Sequence, residues 1–280
     1  MASYFGTMIR SNLAQMFIAA LLTLTPLQAG AQANSPDLGD IVQLELLPGW
    51  RQADGTHMAA LLIRLAPGWK TYWRSPGEAG IPPQLQMRPR RGMQGVEPIW
   101  PVPDIIYTSG YQSLGYADAL LLPLEVSLAP GQGDLPIRGS ISIGVCQDVC
   151  MPVSLDIRGT LRQGGSPDPR ITAALANRPL TASEAGVGPV TCRLTPIADG
   201  LRVQARIPVS RQGSTEVVVF ELPDEGTWVS QAETTRSGGT LTATADIVPA
   251  DAGPFALSRS DLRITVLGDG TAIDIQGCRG

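Results

Sequence analysis

The residues of this 280-residue chain best equipped for chemistry are its four cysteines. Cys146 and Cys150 lie close together in Gly144-Val145-Cys146-Gln147-Asp148-Val149-Cys150-Met151-Pro152, while Cys192 and Cys278 stand far apart near the C-terminus. Two neighbouring thiols can form a reversible disulfide, hold a soft metal ion, or act as a small structural clip. A bridge closing about five residues removes little entropy from the unfolded chain, so it is a poor staple. In a straight strand, residues four apart lie about 13 Å from each other, and a disulfide needs Cα atoms within about 7 Å. A helix would bring them near, but Gly144, Val145 and Pro152 argue against one. The spacing therefore predicts a hairpin tip: strand Ile137 to Val145, turn Gln147-Asp148-Val149, strand Met151 to Ile157. A bridge across so tight a turn is exposed and readily reduced. On spacing alone, exchange, clip and metal binding all stay open.

The other pair differs in kind. A Cys192–Cys278 bridge would close about 87 residues and, in the chain-entropy model, stabilise by about 4–5 kcal/mol, which marks it as structural. Four cysteines allow three pairings, and the separation along the chain favours one local bond and one long one. The only histidine, His57, is expected as a surface or strand residue, and its solitude argues against a His-rich metal site or a Ser-His-Asp hydrolase. Cys146, Cys150 and Met151 together make a sulfur group suited to Cu(I), which is the metal alternative. Asp148 stands beside both cysteines, where a carboxylate disfavours the thiolate. A net charge of −4 lacks the electrostatic footprint of a nucleic-acid binder.

The elements that must position these residues read as β. Gly (31) and Pro (24) are well above their ordinary share, about 12% together, which favours turns over long helices. Alternating apolar and polar residues mark strands at 41–46, 59–65, 120–128, 135–145 and 153–157. Further strands are expected at 191–196, 201–207, 216–222, 227–233, 240–247, 262–267 and 272–276. Spacing of about ten residues between turn signals is that of sandwiches. One helix is predicted over Pro169 to Asn177, capped by Asp168 with proline in the first position. The division expected is a signal peptide over 1–33, a β-sandwich over 34–163, a linker with a short helix over 164–189, and a second β-sandwich over 190–280. The signal peptide rests on Arg10, the apolar run Leu13 to Leu24, and the small residues of Ala29-Gly30-Ala31 and Ala31-Gln32-Ala33. An uncut N-terminal anchor is the alternative. No later stretch reads as a transmembrane helix, so the expected mature chain is soluble and exported.

Read with its neighbours, the first half resembles the N-terminal periplasmic domain of the DsbD thiol:disulfide interchange proteins, and more closely the ScsB branch associated with copper tolerance. The matching residues are Gly68-Trp69-Lys70-Thr71-Tyr72-Trp73-Arg74-Ser75-Pro76-Gly77-Glu78-Ala79-Gly80-Ile81-Pro82-Pro83, Trp100-Pro101-Val102-Pro103, Gly115-Tyr116, Leu121-Leu122-Pro123-Leu124 and Val145-Cys146 with Val149-Cys150-Met151-Pro152. The resemblance covers about Asp40 to Arg158 and implies an immunoglobulin-like sandwich. It implies that Cys146 and Cys150 shuttle electrons to periplasmic thioredoxin-like or disulfide isomerase-type partners, with Cys150 attacking and Cys146 resolving. It implies no cofactor, and a cap loop over Asp104 to Tyr116 in which Tyr107 and Tyr111 would shield the disulfide. The complete membrane reductases continue into a transmembrane segment and a thioredoxin-like domain, neither of which is read here. Electrons would then come in trans from a membrane reductase. A copper-tolerance protein and a non-catalytic binding sandwich with a clipped hairpin are the competing expectations. Trp69, Tyr72 and Trp73 read as core and turn packing, and Lys70, Arg74 and Glu78 as a solvated ion pair or polar rim.

Overall fold

A computed structural model describes residues 37–108, 110–223, 226–250 and 256–280. The expected signal peptide lies outside these residues. A single turn of helix, α1 (Leu38–Ile41), leads into β1 (Val42–Arg51), β2 (His57–Leu65), β3 (Lys70–Tyr72), β4 (Gln84–Met87) and β5 (Met93–Pro98). The strands β6 (Asp104–Thr108), β7 (Tyr111–Ala117), β8 (Ala119–Leu128), β9 (Leu135–Cys146) and β10 (Cys150–Leu161) complete the N-terminal half. They form two sheets, ordered β1-β2-β8-β5 and β10-β9-β3-β7-β6, with β4 also paired to β9. Inward residues of both sheets, among them Leu61, Ile63, Leu122, Leu124, Ile141, Ile143 and Val145, make one core. The alternation read along these strands is thus the inside and outside of a sandwich.

The C-terminal half contains β11 (Leu180–Thr181), β12 (Thr191–Pro196), β13 (Leu201–Pro208), β14 (Val217–Glu221), β15 (Trp228–Val229) and β16 (Glu233–Ser237). It ends with β17 (Thr240–Val248), β18 (Arg263–Gly268) and β19 (Thr271–Gln276). Its sheets are β11-β19-β18-β14 and β12-β13-β17-β15, with β16 also on β17. The first of these sheets is buried on both faces. Val218, Phe220, Ile264, Val266, Ile273 and Ile275 point into the C-terminal core, while Val217, Leu267 and Ala272 point into the N-terminal one. That double burial explains the unbroken apolar run Val217-Val218-Val219-Phe220. The fold is all-β, two sandwiches stacked through this shared layer, and residues 37–280 group as one compact unit.

The stretch expected as a linker is itself packed. Helix α2 (Pro169–Ala176) starts where Asp168 accepts a hydrogen bond from the Arg170 N–H at 2.8 Å, with proline in its first turn. It buries Ile171 among Leu47, Met58, Ala60 and Leu62, the outer residues of β1 and β2. β2 is therefore covered on both faces, which is why Met58 to Ile63 are apolar without a break. Thr181 then joins the C-terminal sheet through the parallel pairing of β11 with β19. Among the described residues, no helix is long and apolar enough to cross a membrane.

Candidate functional site

Strands β9 and β10 run antiparallel in unbroken register from Leu135↔Leu161 to Cys146↔Cys150, and the turn Gln147-Asp148-Val149 closes them. The two cysteines are thus directly opposite one another, with Cα atoms 4.1 Å apart, and are disulfide-bonded. Their surroundings differ because the strands differ. β9 is flanked on its other side by β3, which sets Lys70 level with Cys146 and Thr71 level with Val145. β10 ends the sheet and has no such neighbour. Cys146 is accordingly 0% exposed, while Cys150 is exposed. Beside it Val149 stands 72% exposed, a large apolar side chain held in solvent at the tip of the turn.

Alternation along β3 sends Thr71 inward and Lys70 and Tyr72 to the face that carries the disulfide. Buried Thr71 ties β3 to β9 by donating its hydroxyl to the Gly144 carbonyl at 2.9 Å. The Tyr72 hydroxyl lies 3.2 Å from the Cys150 Sγ. A disulfide sulfur carries no hydrogen, so the phenol is the donor. Burial pushes the Tyr72 phenol above its usual range, so it keeps that proton. Two glycines make the slot for its ring: a Cβ on Gly80 would stand 2.9 Å from Tyr72 Cδ1, and one on Gly144 would stand 3.0 Å from Cδ2. Lys70 Nζ donates to Thr108 Oγ1 at 2.7 Å, tying the tip of the β6–β7 hairpin to the row of Cys146.

The expected cap loop is that hairpin. Tyr107 and Tyr111 are each 62% exposed, and the Tyr107 hydroxyl bonds Gln112. The aromatic residue in hydrogen-bond contact with the disulfide is Tyr72, which sequence reasoning had placed with the packing residues. The signal was present in the alternation Lys70-Thr71-Tyr72, which puts Tyr72 on the cysteine face once β3 is known to flank β9. Met151 corrects the three-sulfur copper site. It follows Cys150 on the strand, so its side chain leaves from the opposite face and packs against the N-terminal core. Among the described residues, no cluster of three His, Cys, Asp or Glu side chains is placed to hold a metal.

Arg74 also corrects its expectation, since it is not at a solvated rim. Its guanidinium donates to Glu221 at 2.8 and 3.0 Å and to Thr265 at 3.2 Å, and lies 4.1 Å above the Trp73 ring. The pair fastens the segment after Tyr72 to β14 and β18, a contact that spans 147 positions and leaves no local trace in the sequence. Trp73 is fully buried and Trp69 packs against the same core. The Tyr116 hydroxyl donates to the Pro101 carbonyl at 2.8 Å, so the Trp100–Pro103 motif supports the scaffold. His57 lies on β2 but is buried, not at the surface. Its Nε2 meets the Pro48 carbonyl at 2.6 Å, its Nδ1 has no partner, and burial holds the imidazole below its usual range. Cys192 on β12 and Cys278 beyond β19 are bonded, joining the two C-terminal sheets beside the hydrogen bond from Cys192 N–H to the Arg279 carbonyl.

A sulfur pair with one buried and one exposed member, under a phenol donor, sets the comparison with known proteins. Residues 43–160 match the family model for the N-terminal region of the thiol:disulfide interchange protein DsbD. The DsbD-like segment holds both hairpin cysteines and Tyr72, Lys70 and Arg74, while Cys192, Cys278 and Glu221 lie beyond it. The resemblance read from the residues is borne out. The fold is similar to the crystal structure of the N-terminal periplasmic domain of ScsB from Proteus mirabilis, with a TM-score of 0.64 and 22% identity. That likeness covers 86% of this chain and 94% of the other, so it extends past the DsbD-like segment into the C-terminal sheets. No curated protein sequence matches the chain.

Proposed function

We propose that the chain is an exported, periplasmic thiol:disulfide exchange protein that passes electrons between partner proteins through Cys146 and Cys150. The observation that carries this reading is the asymmetry of the pair, with Cys150 exposed and Cys146 wholly buried. Exchange needs one sulfur that a second protein can reach, and burial of the other directs the partner to Cys150 and leaves Cys146 to resolve the mixed disulfide. In the reduced chain, the Cys150 thiolate attacks a partner's disulfide. A Cys150–partner bond forms and the partner's other sulfur leaves as a thiolate. The Cys146 thiolate then attacks the Cys150 sulfur, the Cys146–Cys150 bond closes, and the partner's second thiolate leaves. Two electrons have moved from the chain to the partner. The Tyr72 O–H steadies the anionic sulfur of Cys150 at each step in which it is attacking or leaving group.

The remaining parts fit this division of work. Val149 and the tethered hairpin bearing Tyr107 and Tyr111 offer apolar surface beside the disulfide for a thioredoxin-like or disulfide isomerase-type partner. Electrons would be supplied in trans by a membrane reductase. The sandwich over 34–163 carries the exchange and the one over 190–280 braces it, through Arg74 and Glu221 and with Cys192–Cys278 as its staple. The test is trapping. With Cys146→Ser, Cys150 should accumulate mixed disulfides with periplasmic thiol proteins, because nothing resolves them. If neither hairpin variant traps a partner and the wild-type bridge resists mild reductant, the pair is a clip and the proposal fails. Tight stoichiometric Cu(I) binding by the reduced chain without adducts would replace it with the copper reading.

A further inference from the structure

The face of the sheet that bears the disulfide continues to an arginine row. Cross-strand partners share a face, and Arg158 on β10 is directly opposite Arg138 on β9. Arg88, the residue after β4, donates its N–H to the Arg138 carbonyl at 2.9 Å and so completes the row on the third strand. Arg90 and Arg91 follow in the adjacent turn, and all five arginines are exposed. Among the described residues, only Arg158 of the five has a carboxylate partner, Asp156, in a pair that is about 70% exposed on each side. An ion pair that open to water contributes little. The chain as a whole is acidic, with a net charge of −4. Three like charges placed opposite one another cost stability. Guarding a sheet edge accounts for Arg158 on β10 and Arg88 beside β4 but not for Arg138, since β9 is paired on both sides.

Even-numbered residues of β9 are on this face from Cys146 to Arg138, which is about 26 Å for eight residues at ~3.3 Å each. Ile81 and the Tyr72 ring lie over buried Gly144 at its cysteine end, and it opens to solvent from Ser142 onward, with Cys150 exposed at its edge. Between the two ends lie Ser140, Ser142 and Ser154, with Gln84 and Gln86 on β4. Among the described strand residues there the one carboxylate is Asp156, while Asp148 is exposed in the turn beyond the cysteine end. We infer that this face is the docking surface for the redox partner, a thiol protein bearing an acidic patch about 26 Å from its reactive cysteine, which the Arg88, Arg138 and Arg158 row attracts and orients. The inference rests on the exchange reading of Cys150. An anionic lipid surface is the lesser fit, because docking it on this face would cover the exposed Cys150 sulfur. Complementary charge of this kind acts mainly on encounter rate and partner choice.

The test uses the reduced full chain and two synthetic peptides whose single cysteine carries 5-thio-2-nitrobenzoate as a mixed disulfide. Both have an extended neutral spacer of about seven residues, followed by a glutamate run in one and a serine run in the other. Cys150 attacks the peptide sulfur and the coloured aryl thiolate leaves. Cys146 then closes the bridge and releases the reduced peptide. The acidic peptide should react about tenfold faster than the neutral one at low salt. The advantage should vanish at high salt and in the triple variant Arg88→Ser, Arg138→Ser, Arg158→Ser. A small uncharged disulfide, run in parallel, should react equally with wild type and triple variant. Equal rates for the two peptides with normal reaction of the small disulfide would overturn the docking surface alone. No reaction with any disulfide would overturn the exchange reading beneath it. Binding of wild type, and not the triple variant, to phosphatidylglycerol vesicles without peptide discrimination would assign the row to membranes instead.

Discussion

Replacing Tyr72 by Phe isolates what a single hydroxyl does for the exposed sulfur. The Tyr72 oxygen is 3.2 Å from Cys150 Sγ and its ring is almost wholly buried between Gly80 and Gly144. Phenylalanine fills the same slot, so packing should change little. What is lost is one hydrogen bond, neutral to the disulfide but charge-assisted once Cys150 is a thiolate. Hydrogen bonds to charged groups contribute about 1.5–3 kcal/mol, and a sulfur acceptor at this distance belongs at the lower end. At ~1.4 kcal/mol per factor of ten, the anionic form of Cys150 should become about tenfold scarcer near neutral pH. The assay is the rate of iodoacetamide alkylation of the reduced protein against pH, with unfolding by urea as the control for packing. The reactive form should appear at higher pH in Tyr72→Phe, while the unfolding midpoint moves little. An unchanged pH profile would refute the role of Tyr72, and a large loss of stability would show that the hydroxyl matters to the fold instead.

Other perturbations reach the frame around the site. Arg74→Ala leaves Glu221 buried without its partner, in a pair whose side chains are only 13% and 17% exposed. It should cost about 3 kcal/mol, seen as a lower urea midpoint, and a loss below ~1 kcal/mol would count against the brace. Cys192→Ser opens the long loop and should cost about 2–5 kcal/mol of stability while leaving mild reduction of the hairpin bridge unchanged. His57 gives an acid-side effect. Burial holds its imidazole below the ordinary value, so below about pH 6.5 the unfolded chain takes up a proton that the folded chain refuses. Stability should fall with pH from there by at most ~1.4 kcal/mol per unit. His57→Gln should flatten that slope in urea unfolding at pH 7 and pH 5, and an unchanged slope would place the acid sensitivity elsewhere.

The parts of the fold legible in the sequence were those whose burial is one-sided and whose strands are long. β9 and β10 alternate cleanly, and the cysteine spacing excluded a straight strand, so the hairpin could be placed within a residue or two. β3 to β7 were not read, because three to seven residues broken by Gly and Pro offer too little period. The expected strand 227–233 breaks into β15 and β16, the latter a polar edge strand, Glu233-Thr234-Thr235-Arg236-Ser237, with no apolar face to detect. The role of Tyr72 was hidden for the same reason as β3, since its alignment on the cysteines is a property of sheet order. The Arg74 and Glu221 pair is a long-range contact that composition and spacing do not reveal. Helix α2 was legible through its cap, yet its docking on β2 was not, because Ile171 is a lone apolar residue until the surface that receives it is known.

The central claim, that Cys146 and Cys150 form an exchanging pair, is tested most directly by the reduction potential of their disulfide in the folded protein. Equilibration against glutathione buffers, with the hairpin peptide quantified by mass after alkylation, measures it while Cys192–Cys278 reports the behaviour of a buried staple. The account predicts a potential in the range of exchange proteins, about −120 to −270 mV, with the long bridge intact throughout. A hairpin potential below about −300 mV, where structural disulfides lie, would contradict it.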